Sequence, residues 1–302
     1  REELRGGSNR ILCQAYSQYA VRADSRDAVV DLDVAPAKPR LLGLCVGIAD
    51  YPDTEMFGSL VFAGNDALEM QRALERQQQS GAFESVHIDV LVDGGASREA
   101  GIARLQRAAG PARPDDLFVL YMSGHGWARS LSRTSTAPQT FAFILPRFKI
   151  EAPRETGLPF CLPPGVRDSG DDTLYELLAK LPCRKLVLLD CCHSGGSTDM
   201  IRSLTPDGVG PVIMVACDKD QIAWELLSTA HGAFTSALLD GLGESFPAVD
   251  SDRNGMLDAG EMDDYLQLEV ATLIDIYRPI LEVSARANFP NEIARMLPIR
   301  QT

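Results

Sequence analysis

Four consecutive apolar residues, Leu186-Val187-Leu188-Leu189, run straight into Asp190-Cys191-Cys192-His193-Ser194-Gly195-Gly196. A short unbroken apolar run suits a strand buried on both faces, as in a parallel sheet. Such sheets present ligand-binding and catalytic groups at the carboxyl ends of their strands. The stretch therefore asks for a layered α/β domain whose sheet edge carries sulfur chemistry. The remaining chain either supplies what a cysteine at that edge needs or leaves it inert.

The layers can be read along the chain. Residues 41–48 form a second buried run, residues 86–90 alternate as a half-buried strand, and residues 116–122 form a third buried run that ends in Ser123-Gly124-His125-Gly126. Residues 141–145 read as a short strand and residues 209–217 as the last strong one. Helical patterns fall between them. Asn65 is placed to cap a helix over 66–77 carrying Leu68, Met70 and Leu74, and Ser97 to cap one carrying Ile102 and Leu105. Further helices are expected over 171–181, 232–241 and 258–277. Segments 127–139 and 149–170 read as loops, the first Ser/Thr/Arg-rich and the second proline-rich. Strands alternating with helices at this spacing indicate an α/β fold with a mainly parallel central sheet flanked by helices.

Residues 1–39 show weak periodicity, and Ala35-Pro36-Ala37-Lys38-Pro39 reads as a linker. They are taken as an N-terminal extension: a pro-segment, an arm packed on the domain, or a tail with no part in it. The main domain then covers 40–248, and 249–302 adds an acidic loop and a C-terminal helix packed on it.

The net charge of -13 argues against nucleic acid as a partner, since phosphate binding needs basic clusters. It suits basic peptides or divalent cations. No apolar run approaches the roughly 18–20 residues that span a bilayer, and the first residues show no secretory signal, so no membrane partner is expected. Seven cysteines, two of them adjacent and others such as Cys45 and Cys217 within apolar runs, indicate buried thiols in a reducing, cytoplasmic setting. No Cys/His set has zinc spacing.

Two buried strands thus end in reactive motifs, one with His125 and one with a cysteine pair. If the strands are neighbours, His125 faces one of those cysteines across the sheet edge. The thiolate is the reactive form, and a nearby imidazole takes the thiol proton. Backbone N–H groups of Gly126 and of the cysteine can hold a developing oxyanion.

Residues 250–261 carry a separate signal. Asp250, Asp252, Asn254 and Asp258 stand at positions one, three, five and nine of a twelve-residue loop, with Gly255 at six, Met256 at seven offering its carbonyl, Leu257 at eight and Glu261 at twelve. This is the order of an EF-hand loop, whose oxygen-only ligands suit Ca2+. A solvated acidic turn is the plainer alternative.

Ser-Gly-His-Gly after one buried strand and Asp-Cys-Cys-His-Ser-Gly after another resemble the caspase-like cysteine peptidases, metacaspases and their prokaryotic relatives in particular. Supporting matches are residues 41–51, Gly64-Asn65-Asp66-Ala67 and His231-Gly232-Ala233-Phe234-Thr235 through Asp240. The match runs over about residues 41–242 in the family's order. The resemblance implies a cysteine endopeptidase with His125 as the catalytic histidine and Cys192 as nucleophile. It assigns Cys191 a packing role and His193 a structural one. The dyad separation of 67 residues (192 − 125) exceeds the roughly 50 of caspases, and segments 127–139 and 149–170 can absorb the difference. Asp-Cys-Cys here replaces the Gln-Ala-Cys of true caspases.

By the same resemblance Asp66, Ser123 and Asp190 line the first specificity pocket. Two carboxylates and a hydroxyl suit an Arg or Lys side chain, since a desolvated cation needs charge and hydrogen-bond partners. Asp66 can also serve a helix start. The resemblance further implies a calcium site, for which Asp171, Asp172 and Asp199 stand at comparable places, although the first two also suit a helix N-terminus. Calcium dependence or stabilisation, self-cleavage near Arg129, Arg133, Arg154 or Arg167, and a monomeric state are expected. The rival functions are a catalytically silent caspase-like scaffold, a calcium-binding module, and a peptidase of the separase or gingipain type.

Overall fold

The computed structural model describes residues 37–52, 57–130, 139–147, 177–178, 180–192, 212–217 and 223–286, together with short strands at 7–11, 14–16, 22–24, 28–32, 158–159 and 299–301. Strand β1 (Gly7–Ile11) pairs antiparallel with β4 (Ala28–Leu32), and β2 (Gln14–Tyr16) with β3 (Arg22–Asp24). The segment that looked patternless in sequence therefore carries two antiparallel strand pairs.

From there the chain alternates: β5 (Leu41–Gly47), α1 (Ala63–Glu75), β6 (Val86–Val92), α2 (Arg98–Ala109) and β7 (Leu117–Ser123). A side sheet follows, made of β8 (Gly126–Ser130), β9 (Gln139–Phe143) and β10 (Leu158–Pro159). Then come β11 (Arg184–Asp190), β12 (Val212–Val215), β13 (Trp224–Leu226) and β14 (His231–Gly232). The chain closes with α3 (Ala233–Gly241), α4 (Phe246–Val249), α5 (Ala259–Arg286) and β15 (Ile299–Gln301).

The central sheet has the order β12-β11-β7-β5-β6, and every pairing in it is parallel. Alternate residues of its inner strands feed two cores, as the two-residue period of a strand requires. On one face Leu42, Leu44, Val46, Phe118, Leu120, Met122, Val187 and Leu189 pack with Leu105 of α2. On the other, Leu41, Cys45, Val119, Tyr121 and Leu188 pack with Met70 and Leu74 of α1 and Phe234 and Leu238 of α3. Met262 and Leu266 of α5 lie in that second core, so the C-terminal helix packs directly on the domain. All seven residues of β5 are buried, which is why its sequence shows an unbroken apolar run rather than alternation.

Several expected boundaries move. The first long helix starts at Ala63, so Asn65 sits in its first turn and is not the cap; the flanking Phe62 provides no side-chain cap either. Ser97 does cap α2, accepting from the Ala100 amide at 3.1 Å. Segment 127–139 is not simply a loop, because residues 126–130 pair antiparallel with 139–143. That strand pair stands outside the central sheet, so backbone pairing forms it without the hydrophobic period that marks a core strand. The strand expected over 141–145 is accordingly β9, and Phe143, Ile144 and Leu145 are buried at and beyond its end. Of the helix expected over 171–181, Leu177 and Leu178 are helical and buried, and its acidic start lies outside the described residues. Among the described residues, no helix is long and apolar enough to cross a membrane.

Candidate active site

Strands β7 and β11 are neighbours, and their register settles how the two reactive motifs meet. Asp190 stands beside Ser123, an offset of 67 residues (190 − 123) that holds along the whole ladder. Cys192 follows His125 by the same 67 residues, so the two occupy matching positions just beyond the strand ends. The Gly124 amide donates to the Asp190 carbonyl at 3.2 Å, carrying the strand pairing one step further toward them. Gly124 has to be glycine, because a Cβ there would meet Tyr51 Oη at 2.8 Å and Phe143 Cζ at 2.9 Å. The longer separation relative to caspases therefore leaves the pairing of the motifs intact.

Three groups hold His125. Its backbone amide donates to Tyr51 Oη at 2.8 Å, and its ring packs against Tyr51 and Phe57 with centroids 4.7 and 5.4 Å away. Its Nε2 lies 2.7 Å from the Gly58 carbonyl oxygen. A carbonyl only accepts, so Nε2 carries a proton and Nδ1 keeps its lone pair in the neutral ring. Burial lowers the imidazole pKa and outweighs the Gly58 bond, which raises it. The ring is thus kept neutral with one nitrogen ready to take a proton.

Cys192 is 4% exposed, and Cys191 is fully buried. Burial pushes the Cys191 thiol well up, with Cys217 and Asp190 adding to the effect, which suits a packing role. His193 lies outside the described residues. Gly126 follows His125 and opens β8 opposite Phe143.

Asp66, Ser123 and Asp190 do converge, and all three are buried. Ser123 Oγ donates to Asp66 Oδ2 at 3.2 Å. The same oxygen accepts from the Gly232 amide at 3.2 Å, and His231 Nδ1 donates to Asp66 Oδ1 at 2.7 Å. Asp190 Oδ2 accepts from the Thr235 amide at 3.2 Å and from Thr235 Oγ1 at 2.5 Å. Thr235 has one hydroxyl proton, which goes to Asp190, so Tyr121 donates its own hydroxyl proton to Thr235. Burial raises the Asp66 pKa against the opposing pull of His231, Gly232 and Ser123. Burial, and then the charge of Asp66, push Asp190 up to about 7. Burial thus works against the charged forms of both carboxyls, and a cation held between them would favour those forms.

Three acids of the acidic loop draw together. Asp250, Asp252 and Glu261 bring one carboxylate oxygen each to within 4.8 Å of one another. Asp250 accepts from the Asn254 and Gly255 amides at 3.0 and 2.9 Å, and Gly255 has a φ of 79°, which favours glycine. Asp258 Oδ1 accepts from the Glu261 amide at 2.9 Å and thereby caps the start of α5. Glu261 accepts from the Ser251, Asp252 and Asp258 amides, and these bonds lower its pKa. The donor set is all oxygen and multiply acidic, which fits a hard divalent cation. Asp171, Asp172 and Asp199 lie outside the described residues.

Sequence reading missed the groups that support these side chains. Tyr51, Gly58, Glu225, His231 and Thr235 were given no role, although two of them fall within the matched stretch from His231 to Asp240. Glu225 had a visible signal, a lone acid in Ala223-Trp224-Glu225-Leu226-Leu227. A buried strand carries such an acid only when something compensates it.

A parallel sheet with a histidine and a cysteine at matching positions past two adjacent central strands defines an α/β protein with a thiol–imidazole edge. Residues 40–252 match the family model of the caspase domain, Peptidase_C14, and the chain belongs to that family. It has the caspase-like fold, and its family is one of cysteine peptidases. A crystal structure of protein GSU0716 from Geobacter sulfurreducens is similar, with 19% identity, a TM-score of 0.48, and coverage of 76% of this chain and 88% of that one. A comparison with curated proteins finds no match.

Proposed function

We propose that the chain is a cysteine endopeptidase that cleaves after Arg or Lys. The observation that carries this reading is the matching position of His125 and Cys192, two residues beyond the Ser123–Asp190 rung, which belongs to a buried acid cluster with Asp66. Asp66, Asp190 and Ser123 receive the basic side chain, whose charge offsets the repulsion between the two carboxylates. His125 Nδ1 takes the proton of the Cys192 thiol, and the thiolate attacks the scissile carbonyl carbon. The amides of Gly126 and Cys192 receive the developing oxyanion. The C–N bond breaks as His125 returns its proton to the leaving amine, leaving a thioester. Water, deprotonated by His125, then releases the acid and restores the thiol.

Calcium is the proposed metal. Asp250, Asp252, Asn254, Asp258 and Glu261, with the Met256 carbonyl, would hold it and tie the start of α5 to the end of α4. Substrates are proteins or peptides with basic residues, and the chain is read as acting alone in the cytoplasm, without nucleic acid or membrane. Self-processing is kept for the segments that carry Arg133, Arg154 and Arg167, which lie outside the described residues. Arg129 is a poor point, since it sits in β8 opposite Thr140, where paired backbone cannot enter a cleft.

The test is a panel of fluorogenic peptides ending in Arg, Lys or Asp, with and without Ca2+, against wild type and Cys192→Ala. Turnover of the Arg and Lys peptides by wild type alone is expected. Equal turnover by Cys192→Ala, or a preference for Asp, overturns the reading.

A further inference from the structure

Glu225 is 3% exposed, yet it is neither a substrate-pocket acid nor part of the acidic loop. Its Oε1 accepts from the Val61 amide at 2.9 Å and the Phe62 amide at 2.7 Å, and Oε2 accepts from Val61 at 3.0 Å. These amides stand at the entrance to α1, where unpaired N–H groups and the positive end of the helix favour an anion. Phe62 provides no side-chain cap, so a strand residue 163 positions away supplies one.

The run from Phe57 to Phe62 joins this cap to the imidazole. At its start the Phe57 ring packs on His125 and the Gly58 carbonyl accepts from His125 Nε2. In its middle the Leu60 amide donates to the Ala49 carbonyl at 2.9 Å. At its end Glu225 takes both amides. Phe57 and Leu60 pack against the first core, but Gly58, Ser59 and Val61 are exposed, so the tip that carries the Gly58 carbonyl and the approach to α1 have little packing of their own. A carbonyl at the tip of a surface run orients a ring only if the run is anchored.

We propose that Glu225 is a positioning residue for His125: by clamping residues 61 and 62 it fixes the Gly58 carbonyl, which holds the imidazole with its proton on Nε2 and Nδ1 turned to accept. This rests on reading His125 as the base. Charged groups near Glu225 include Asp190, whose charge it opposes, the Asp66–His231 pair reached through β14, whose Gly232 stands opposite Glu225, and Arg300, which holds the register position opposite Glu225 on β15. Removing Glu225 therefore also eases Asp190 ionisation, which would aid substrate binding while the imidazole loses its fix.

The full chain is compared as wild type, Glu225→Ala and Glu225→Gln. The readouts are the His125 ring-nitrogen shifts by long-range 15N NMR, the pH profile of Cys192 alkylation by iodoacetamide, and kcat and KM on an Arg peptide. Glu225→Ala should convert a single Nε2–H tautomer into a mixture and shift the alkylation profile to higher pH. It should lower kcat by about tenfold to a hundredfold, the cost of a misplaced catalytic group, with KM changed less than threefold. Glu225→Gln should recover most of this, because one oxygen already serves both amides. Should Glu225→Ala not fold, Val61→Pro deletes one donor at an exposed position and should move the same readouts part of the way. Unchanged tautomer and alkylation profile in a folded variant overturn the proposal, as does a loss confined to KM. The NMR and alkylation arms need no peptide, so a wrong specificity leaves them intact. A wild-type alkylation profile unaffected by His125→Ala would instead sink the reading of His125 as base.

Discussion

Ser123 and Asp190 face each other on the last rung that β7 and β11 share. Everything chemical in the site follows from that rung. Two residues further along each strand stand His125 and Cys192, and the rung itself belongs to the acid cluster with Asp66. If attack and recognition are divided this way, they should separate by mutation. Cys192→Ala should abolish turnover, and His125→Ala should lower kcat by roughly 10²–10⁴-fold, the usual weight of a general base. His125→Ala should leave KM for an Arg peptide close to wild type, Cys192→Ala should still bind that peptide, and both should melt close to wild type. Steady-state kinetics and thermal melts check this, and a matching collapse of stability would return both residues to a structural role.

The same division predicts two distinct pH limbs. Burial, then the charge of Asp66, hold Asp190 up to about 7, so the pocket gains its second charge as pH rises through that value. KM for Arg and Lys peptides should fall across that range. Burial lowers the His125 pKa, so the limb in kcat should lie below the ordinary histidine value of about 6.5. Asp190→Asn should erase the KM limb and keep the kcat limb. Initial rates from pH 5 to 9 resolve the two, and a single shared limb would contradict the assignment.

Asp190 also makes a claim on stability. Its folded pKa lies above the ordinary carboxylate value, so its contribution is most favourable at acid pH and is lost as pH rises through about 7. Asp190→Asn should therefore raise the melting temperature at pH 8, by roughly 2–4 °C for each kcal/mol regained, and the gain should shrink toward pH 5. Peptide turnover should fall in the same variant. A buried like-charge pair kept at the expense of stability is what a cation-binding pocket requires. Scanning calorimetry at the two pH values measures it, and a variant less stable than wild type at pH 8 would refute the sign.

The acidic loop offers a prediction that needs no substrate. At a hundredfold excess over Kd, a bound cation stabilises the folded state by about 2.7 kcal/mol. Calcium should raise the melting temperature accordingly, and Glu261→Gln should remove the rise with little change in the metal-free protein. Magnesium should do less, because it needs a tighter octahedral shell than a long flexible loop gives. No calcium response in wild type would make this loop an acidic turn and nothing more.

Some of this architecture was legible because each feature left a local mark. Buried parallel strands leave unbroken apolar runs, so β5, β7 and β11 were visible. Their ends, Ser123-Gly124-His125 and Asp190-Cys191-Cys192, were visible as changes from apolar to polar. The EF-hand spacing is likewise written in consecutive residues. The supports were not, because each is a contact across long separations between types that are common elsewhere. Nothing local says that Gly58 meets His125, that Thr235 meets Asp190, or that Glu225 caps a helix across the fold. The cap also explains the misplaced start of α1. Asn65 has the right chemistry for a cap, but Glu225 already holds the amides at the helix entrance. Strand β8 was missed for a related reason, since its backbone pairing with the expected β9 needs no hydrophobic period.

Gly232 gives the sharpest steric test of the pocket. Its φ of -59° and ψ of 148° are open to any residue, so alanine brings no backbone strain there. The added Cβ would instead stand 2.3 Å from Asp190 Oδ2, the oxygen that Thr235 holds. Asp190 must then leave Thr235 or the β14 turn must shift, and in either case the acid moves. The dyad follows β7 and β11 rather than β14, and His125 keeps its own supports at Tyr51 and Gly58. Gly232→Ala should therefore lower kcat/KM for Arg and Lys peptides by about 10–100-fold, the scale of a lost hydrogen bond to a charged group. Most of that change should lie in KM, and the pH profile of Cys192 alkylation should stay where it is. A variant with wild-type KM would show that Asp190 does not receive the substrate's charge, and a shifted alkylation profile would show that the pocket and the dyad are not separate devices.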